Sequence, residues 1–392
     1  MSRSVEFLSR FCAEHRLEKK YLVVSSYQVG HEMGEALARK GSSWVNLHSR
    51  TIPMLAQEVA GAELLSQGIR FIAQASSFFL VERGFRKLKE ARKFRYFGEV
   101  EATTGIVRAL QNSLFALRIA GLKSEDLDPS RFIDRTKGEE IIALLRAYEE
   151  ELEREKSVDL PGLYVMALRK LHTKPLQKNP PEQKAYYLTI EDRPLEYLEL
   201  AFLEKLAGDN LVFIPQEPIH GLVRPRRLRG STSSPGSPSK AAWVPTSSSD
   251  VERLPWIFAP RDAPPVFHDD NIVIFSAIGP TNECREVVRR IMAEKIPFDD
   301  VEIIHPAGPT YPSVMFALAA KSGFKVTFGD GIPLAFTGPG KVTSGFIAWI
   351  EHDFLASELC ALIEAGVIKL SSGNGEGALA PLKASRYLKS AM

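Results

Sequence analysis

Apolar residues in the first half of the chain alternate between two spacings. Residues 5–16 carry them at helical intervals, and Tyr21-Leu-Val-Val-Ser-Ser26 is a short continuous run of the kind a buried strand shows. The pattern predicts a helix opening at Gly30-His-Glu-Met-Gly34 and ending near Lys40, then a short strand over residues 44–47. Thr51 begins the next helix, to about Leu65, with Pro53 in its first turn, where proline is tolerated. From Gln74 to about His172 only helical periodicity is found. Over residues 139–156, for example, Ile141, Leu145, Tyr148 and Leu152 share one face and glutamates the other. Strand character returns at 185–190 and 210–214, with a helix between them over 195–206.

This is the pattern of a parallel α/β layer interrupted by a helical insertion of roughly a hundred residues, too large for an ordinary connection in such a sheet. The layer occupies residues 1–72 and 181–220, and the insertion 73–180. Residues 221–265 differ in composition: Arg224–Arg229 leads into a Ser/Pro/Gly-rich stretch with too little apolar surface to offset its ordering entropy, so a flexible linker is expected. Alternation resumes over 266–354. Strands are predicted at 272–277, 301–304 and 324–328, with helices at 283–294 and 312–321, a βαβαβ run that implies a second parallel sheet. Further helices are expected at 340–350 and 355–370. Residues 355–392 read as the start of another helical subdomain, which suggests a truncated protein.

Composition narrows the function classes. Of 392 residues, 44% are apolar and 25% charged, and the net charge of +2 is too balanced to argue nucleic-acid binding without local clusters. The three cysteines are far apart and form no CxxC pair, which fits a reduced, cytoplasmic compartment. The eight histidines show no metal-ligand spacing, so neither a metal nor a cofactor is expected. No apolar run approaches the length that spans a membrane.

Candidate chemistry starts at the first strand. A strand, a glycine-bearing loop and a helix N-terminus are the architecture that cradles phosphates on backbone amides. A working phosphate loop also supplies Lys followed by Ser or Thr, for the outer phosphates and Mg²⁺. Here the stretch is Tyr27-Gln-Val-Gly-His-Glu, with no lysine before Lys40. Gly30 and Gly34 thus mark either a degenerate nucleotide site or simply tight helix–strand packing. Asp192, after the strand at 185–190, stands where a motor ATPase holds Mg²⁺; its other reading is a solvated acidic turn beside a helix N-terminus. Ser49, Arg50 and Thr51 can hold consecutive backbone phosphates at a helix start, or Thr51 can serve as a plain N-cap.

Basic clusters come next. Residues 83–96 hold seven cations, among them Arg86, Lys87 and Lys89, against the single acid Glu90. Phe85, Phe94 and Tyr96 are interleaved with them, a combination that suits a nucleic-acid backbone as well as a solvated helix face. Arg285, Arg289 and Arg290 fall on the outer face of the helix at 283–294.

Several of these segments resemble the inactivated helicase-like subunits of bacterial helicase–nuclease complexes, the AddB type. Leu22-Val-Val-Ser25 with its eroded loop is similar to the start of the first motor domain. Asn46-Leu-His-Ser-Arg-Thr51 resembles the motif whose Ser and Thr contact a single strand, and Leu188-Thr-Ile-Glu-Asp192 resembles the Walker B segment. Phe275-Ser-Ala277, Asn282-Glu283 and Val287-Val-Arg289 resemble the opening of the second motor domain, and Gly331-Ile-Pro333 a later turn. The resemblance implies an α/β fold of two RecA-like parallel-sheet domains, the first interrupted by an all-helical insertion. It implies a subunit with no catalysis of its own, which binds single-stranded DNA or duplex ends beside an active helicase–nuclease subunit in double-strand break repair and recombination. No nuclease motif is found in the chain. The competing reading is an active nucleotide- or nucleotide-sugar-binding α/β enzyme.

Overall fold

The computed structural model describes residues 3–173, 185–191, 193–216, 249–306, 308, 310–329, 331–366, 368 and 385–386. The chain divides into two compact units, Met1–Asp269 and Asp270–Met392.

In the first unit α1 (Arg3–Glu14) leads to β1 (Lys19–Val23), α2 (Tyr27–Arg39), β2 (Leu47–Arg50) and α3 (Ile52–Gln67). Gly68 ends α3 in the left-handed region at φ 65°, where a residue without Cβ fits best. Strand β3 (Arg70–Phe71) precedes α4 (Gln74–Glu90), α5 (Thr104–Ile119) and α6 (Arg135–Arg154), and β4 (Ser157–Val158) follows them. Then come α7 (Leu160–Thr173), β5 (Ala185–Ile190), α8 (Tyr197–Ala207) and β6 (Leu211–Ile214).

Four strands form a parallel sheet in the order β2-β1-β5-β6. Leu22 of β1 lies opposite Ser49 on one side and Leu188 on the other. Crossover helices cover both faces, as parallel sheets require. On one face Leu22, Val24, Leu188 and Ile214 pack with Leu8, Cys12 and Leu37. On the other, Val23 belongs to a core with Ile52 and Ala56 of α3, Tyr164 of α7 and Phe202 of α8. Lys20 is fully buried, and its Nζ donates to the carbonyl oxygens of His15 and Glu18 just beyond the end of α1. Burial pushes the Lys20 pKa down.

The insertion has its own core, in which Phe85 of α4, Leu114 of α5 and Leu144 of α6 are buried. At its neck β3 pairs with β4, and the Arg118 guanidinium grips both Asp159 carboxylate oxygens at 2.8 and 2.9 Å. The Tyr148 hydroxyl donates to the same carboxylate at 3.1 Å. The sequence assigns all of residues 73–180 to the insertion, with helical periodicity to about His172. The structure instead packs Leu163, Tyr164 and Ala167 of α7 into the sheet's core, because the apolar face of α7 meets α3 and α8.

The second unit contains α9 (Pro280–Ala293), α10 (Thr310–Ser322), α11 (Gly338–Glu351) and α12 (Ala356–Glu364). Cys284, Val288 and Met315 centre a small core that takes in Phe298, Phe324 and Phe328. Helices α9, α10 and α11 fall within three residues of the pattern, whereas α12 ends at Glu364, short of the expected residue 370. The runs 272–277, 301–304 and 324–328 differ: among the described residues they join no ladder, so the second sheet is not formed there. Strand propensity takes effect only where neighbours supply hydrogen bonds and cover. Here Ile274 and Ile304 stand 94% and 87% exposed.

Of the expected linker, residues 221–248 lie outside the described residues. The remainder is folded on itself: the Asp250 carboxylate accepts from the Phe267 amide at 2.9 Å, and Arg253 donates to the Pro264 carbonyl. Residues 371–384 and 387–392, where a hinge and a last helix are expected, also lie outside.

Candidate nucleic-acid interface

The carboxyl edge of the sheet contains a topological switch point: β1 leads to β2 on one side, while β5 leads to β6 on the other. Only Val24, Ser25 and Ser26 connect β1 to α2, and the Ser26 hydroxyl caps the helix by accepting from the Val29 amide at 3.4 Å. Gly30 is therefore not in a loop but in the first turn of α2, which corrects the helix start expected at that glycine. A Cβ on Gly30 would lie 2.4 Å from Ser49 Oγ and 2.5 Å from Ser49 Cβ. Gly30 thus serves the close approach of α2 to β2, and a three-residue connection is too short to wrap phosphates. Gly34 lies a turn further along, where a Cβ would meet only Trp44, at 3.8 Å. Asp192 lies outside the described residues.

Arg193, unremarked in the sequence pattern, follows β5 at this edge. Its Nη1 is buried without a hydrogen-bond partner. Burial pushes its pKa down, while Glu199 and Tyr164 act in the opposite sense. An unpaired buried guanidinium nitrogen is a group that an anion would satisfy.

Ser49, Arg50 and Thr51 are brought to the same edge, each already engaged. The Ser49 side chain fills the space beside Gly30. The Thr51 hydroxyl caps α3 by accepting from the Met54 amide at 3.4 Å. Arg50 donates from Nε to Glu58 at 2.8 Å and from Nη1 to the Ser49 carbonyl at 3.0 Å. Their roles here are packing, capping and a half-exposed ion pair.

The basic run is sorted by the fold into engaged and free cations. Arg83 pairs with Glu151 and Glu155, Arg86 with Glu82 at 2.8 Å, and Lys89 donates to the Val100 carbonyl at 2.9 Å. Lys87, Arg92, Lys93 and Arg95 are exposed and have no ion-pair partner among the described residues. The helix ends at Glu90, so Arg92, Lys93 and Arg95 stand on the following loop, not on a helical stripe. Of the interleaved aromatics, Phe85 and Phe94 are core residues, 0% and 8% exposed; Tyr96 is 47% exposed.

What holds that loop is Glu140 of α6, only 4% exposed. Its carboxylate accepts from the Tyr96 amide at 2.7 Å, the Phe97 amide at 2.9 Å and the Arg95 amide. Consecutive amides converging on one anion form a nest. Sequence periodicity misses Glu140, because its partners lie more than forty residues upstream.

In the second unit Arg285, Arg289 and Arg290 line an open pocket of about 340 Å³ with Phe275, Ser276, Ala277 and Asn282. Arg289 and Arg290 both grip Glu286, at 2.6–2.8 Å, and hold its pKa at about 2. The Arg290 guanidinium also lies 4.5 Å from the centroid of the Phe275 ring. Arg285 is exposed with no ion-pair partner among the described residues. The pocket therefore keeps net positive charge.

Among the described residues no cluster of His, Cys, Asp or Glu could hold a metal ion, and no helix is long and apolar enough to cross a membrane. Comparison with protein-family models and with curated proteins finds no match to this sequence.

Proposed function

We propose that this chain is a helicase-like DNA-binding subunit without ATP chemistry of its own, acting with an active helicase–nuclease partner in double-strand break repair and recombination. The observation that carries the reading is the closed nucleotide position: Gly30 packs on Ser49 after a three-residue connection that contains no lysine. The parallel sheet split by a helical insertion supports a first RecA-like domain. Apolar runs alternating with α9 and α10 support a second. Free cations in both units suit backbone phosphates, which are held without reading sequence. The experiment sets DNA binding beside nucleotide binding. Binding of single-stranded or tailed duplex DNA with no uptake of MgATP supports the proposal.

A second reading, an α/β enzyme for a nucleotide or nucleotide-sugar, is favoured by one observation, the unpaired Nη1 of Arg193 at the switch point. Micromolar nucleotide binding that Arg193→Gln abolishes would establish this reading and overturn the first.

A further inference from the structure

Three free cations of the helical insertion, Arg92, Lys93 and Arg95, share one loop with the exposed Tyr96, and Lys87 precedes them on α4. Lys137 extends the group from α6: its Nζ lies 5.4 Å from the centroid of the Tyr96 ring. Tyr96 is braced edge-on by Phe97, with ring centroids 4.9 Å apart, and Phe97 itself belongs to the insertion core. The ring therefore rests on a firm base with nearly half its surface in solvent.

The manner of anchoring matters. Glu140 holds this loop through backbone amides and takes none of the cationic side chains. The buried carboxylate's charge is met by three N–H dipoles, a strong arrangement for an ionised acceptor. The side chains of Arg92, Lys93 and Arg95 consequently stay unpaired above a fixed backbone. The exposed acids nearest in sequence, Glu90 and Glu99, form no ion pair with them. Four cations, with Lys137 and a half-exposed aromatic ring, match the two things a single strand offers, phosphates and unstacked base faces. A duplex would use the charges and leave the ring without a role, because its bases are already stacked.

We propose that the loop after α4, with Lys87 in the last turn of α4 and Lys137 of α6, is a single-strand binding site. Tyr96 stacks on a base, and Lys87, Arg92, Lys93, Arg95 and Lys137 hold the flanking phosphates. This site rests on the reading of the chain as a DNA-binding subunit. It uses the unpaired cations of this segment and not Arg86 or Lys89, whose side chains are engaged within the fold.

The test is fluorescence anisotropy with a labelled oligothymidylate on the full chain, compared across variants and repeated at rising salt. Tyr96→Ala is expected to weaken binding on the order of tenfold. Arg92→Gly suits the left-handed backbone at φ 53°, so it removes a cation without endangering the fold. Together with Lys93→Gln it should lower the salt slope by about 1.4. Circular dichroism and thermal melts confirm that each variant is folded. Wild-type binding that all three substitutions leave unchanged overturns this site and spares the DNA-binding reading. Absence of wild-type binding overturns both. Tighter, loop-dependent binding to phosphatidylserine vesicles than to the oligonucleotide would show a membrane surface instead and also overturn the site.

Discussion

Gly30 of α2 and Ser49 of β2 approach so closely that a single added carbon on the glycine would fall 2.4 Å from the serine oxygen. That contact explains two features of the first unit together. It limits how large residue 30 can be where α2 crosses β2, and it puts the serine side chain in the space beside the first turn of the helix. The serine that resembles a strand-contacting residue in sequence is, in the fold, the partner of a packing glycine.

The contact makes a prediction with a sign reversal. Gly30→Ala should destabilise the chain by about 1 kcal/mol, because overpacking against Ser49 outweighs the helix propensity gained. In a Ser49→Gly background the same substitution should stabilise, by up to about 1 kcal/mol. Urea denaturation of the four chains of this double-mutant cycle measures the coupling. Equal effects in the two backgrounds would mean that Gly30 and Ser49 are not in contact.

Glu140→Gln keeps the side-chain shape but replaces an anionic acceptor with an amide, one end of which turns donors toward the backbone amides of Arg95, Tyr96 and Phe97. The expected loss is about 2 kcal/mol, the scale of hydrogen bonds to a charged group. Amide exchange at residues 95–97 should accelerate more than at Phe85 in the core. Unchanged exchange at those three amides would contradict the nest.

Glu286 gives a pH prediction. Hydrogen bonds from Arg289, then from Arg290, lower its pKa to about 2. A carboxyl whose folded pKa lies below its unfolded value stabilises fully above the unfolded range, near 4.3, and the contribution is lost as pH falls through the folded value. Carboxyl-carbon NMR should therefore show Glu286 still ionised at pH 3. Arg289→Gln should move its midpoint up toward the ordinary carboxylate range. A wild-type midpoint near 4 would show that the two-arginine clamp is not held in solution.

The sheet was legible because its central strands are continuous apolar runs. Residues 185–190 and 211–214 form β5 and β6 within a residue of the periodicity, whereas β1 begins at Lys19, two residues before the run at 21–26, and ends at Val23 within it. Strand β2 is displaced to Leu47–Arg50 from the expected 44–47. It is an edge strand, and polar Ser49 and Arg50 are tolerated there, whereas a pattern of apolar positions finds only Trp44 to Leu47. The start of α2 was signalled by Ser26, a good N-cap, yet the glycines drew the boundary to Gly30. Strands of two residues, such as β3 and β4, are below what any period can detect.

The site was less legible than the fold. Charge runs show which cations exist but not which are engaged, because Arg83 finds Glu151 of α6 and Glu155 just after it, about seventy residues away. Phe85 and Phe94 look like members of an aromatic surface until the insertion core takes them in. Arg193 carries no motif, and only its burial beside the switch point makes it notable.

The most direct measurement of the central claim is the affinity of the chain for single-stranded DNA across a salt series, with and without MgATP. Five cations on and beside the insertion loop predict a slope of log K against log salt near −3.5, and no change on adding MgATP. A flat salt dependence, or an affinity that MgATP alters, would contradict an ATP-independent DNA-binding subunit.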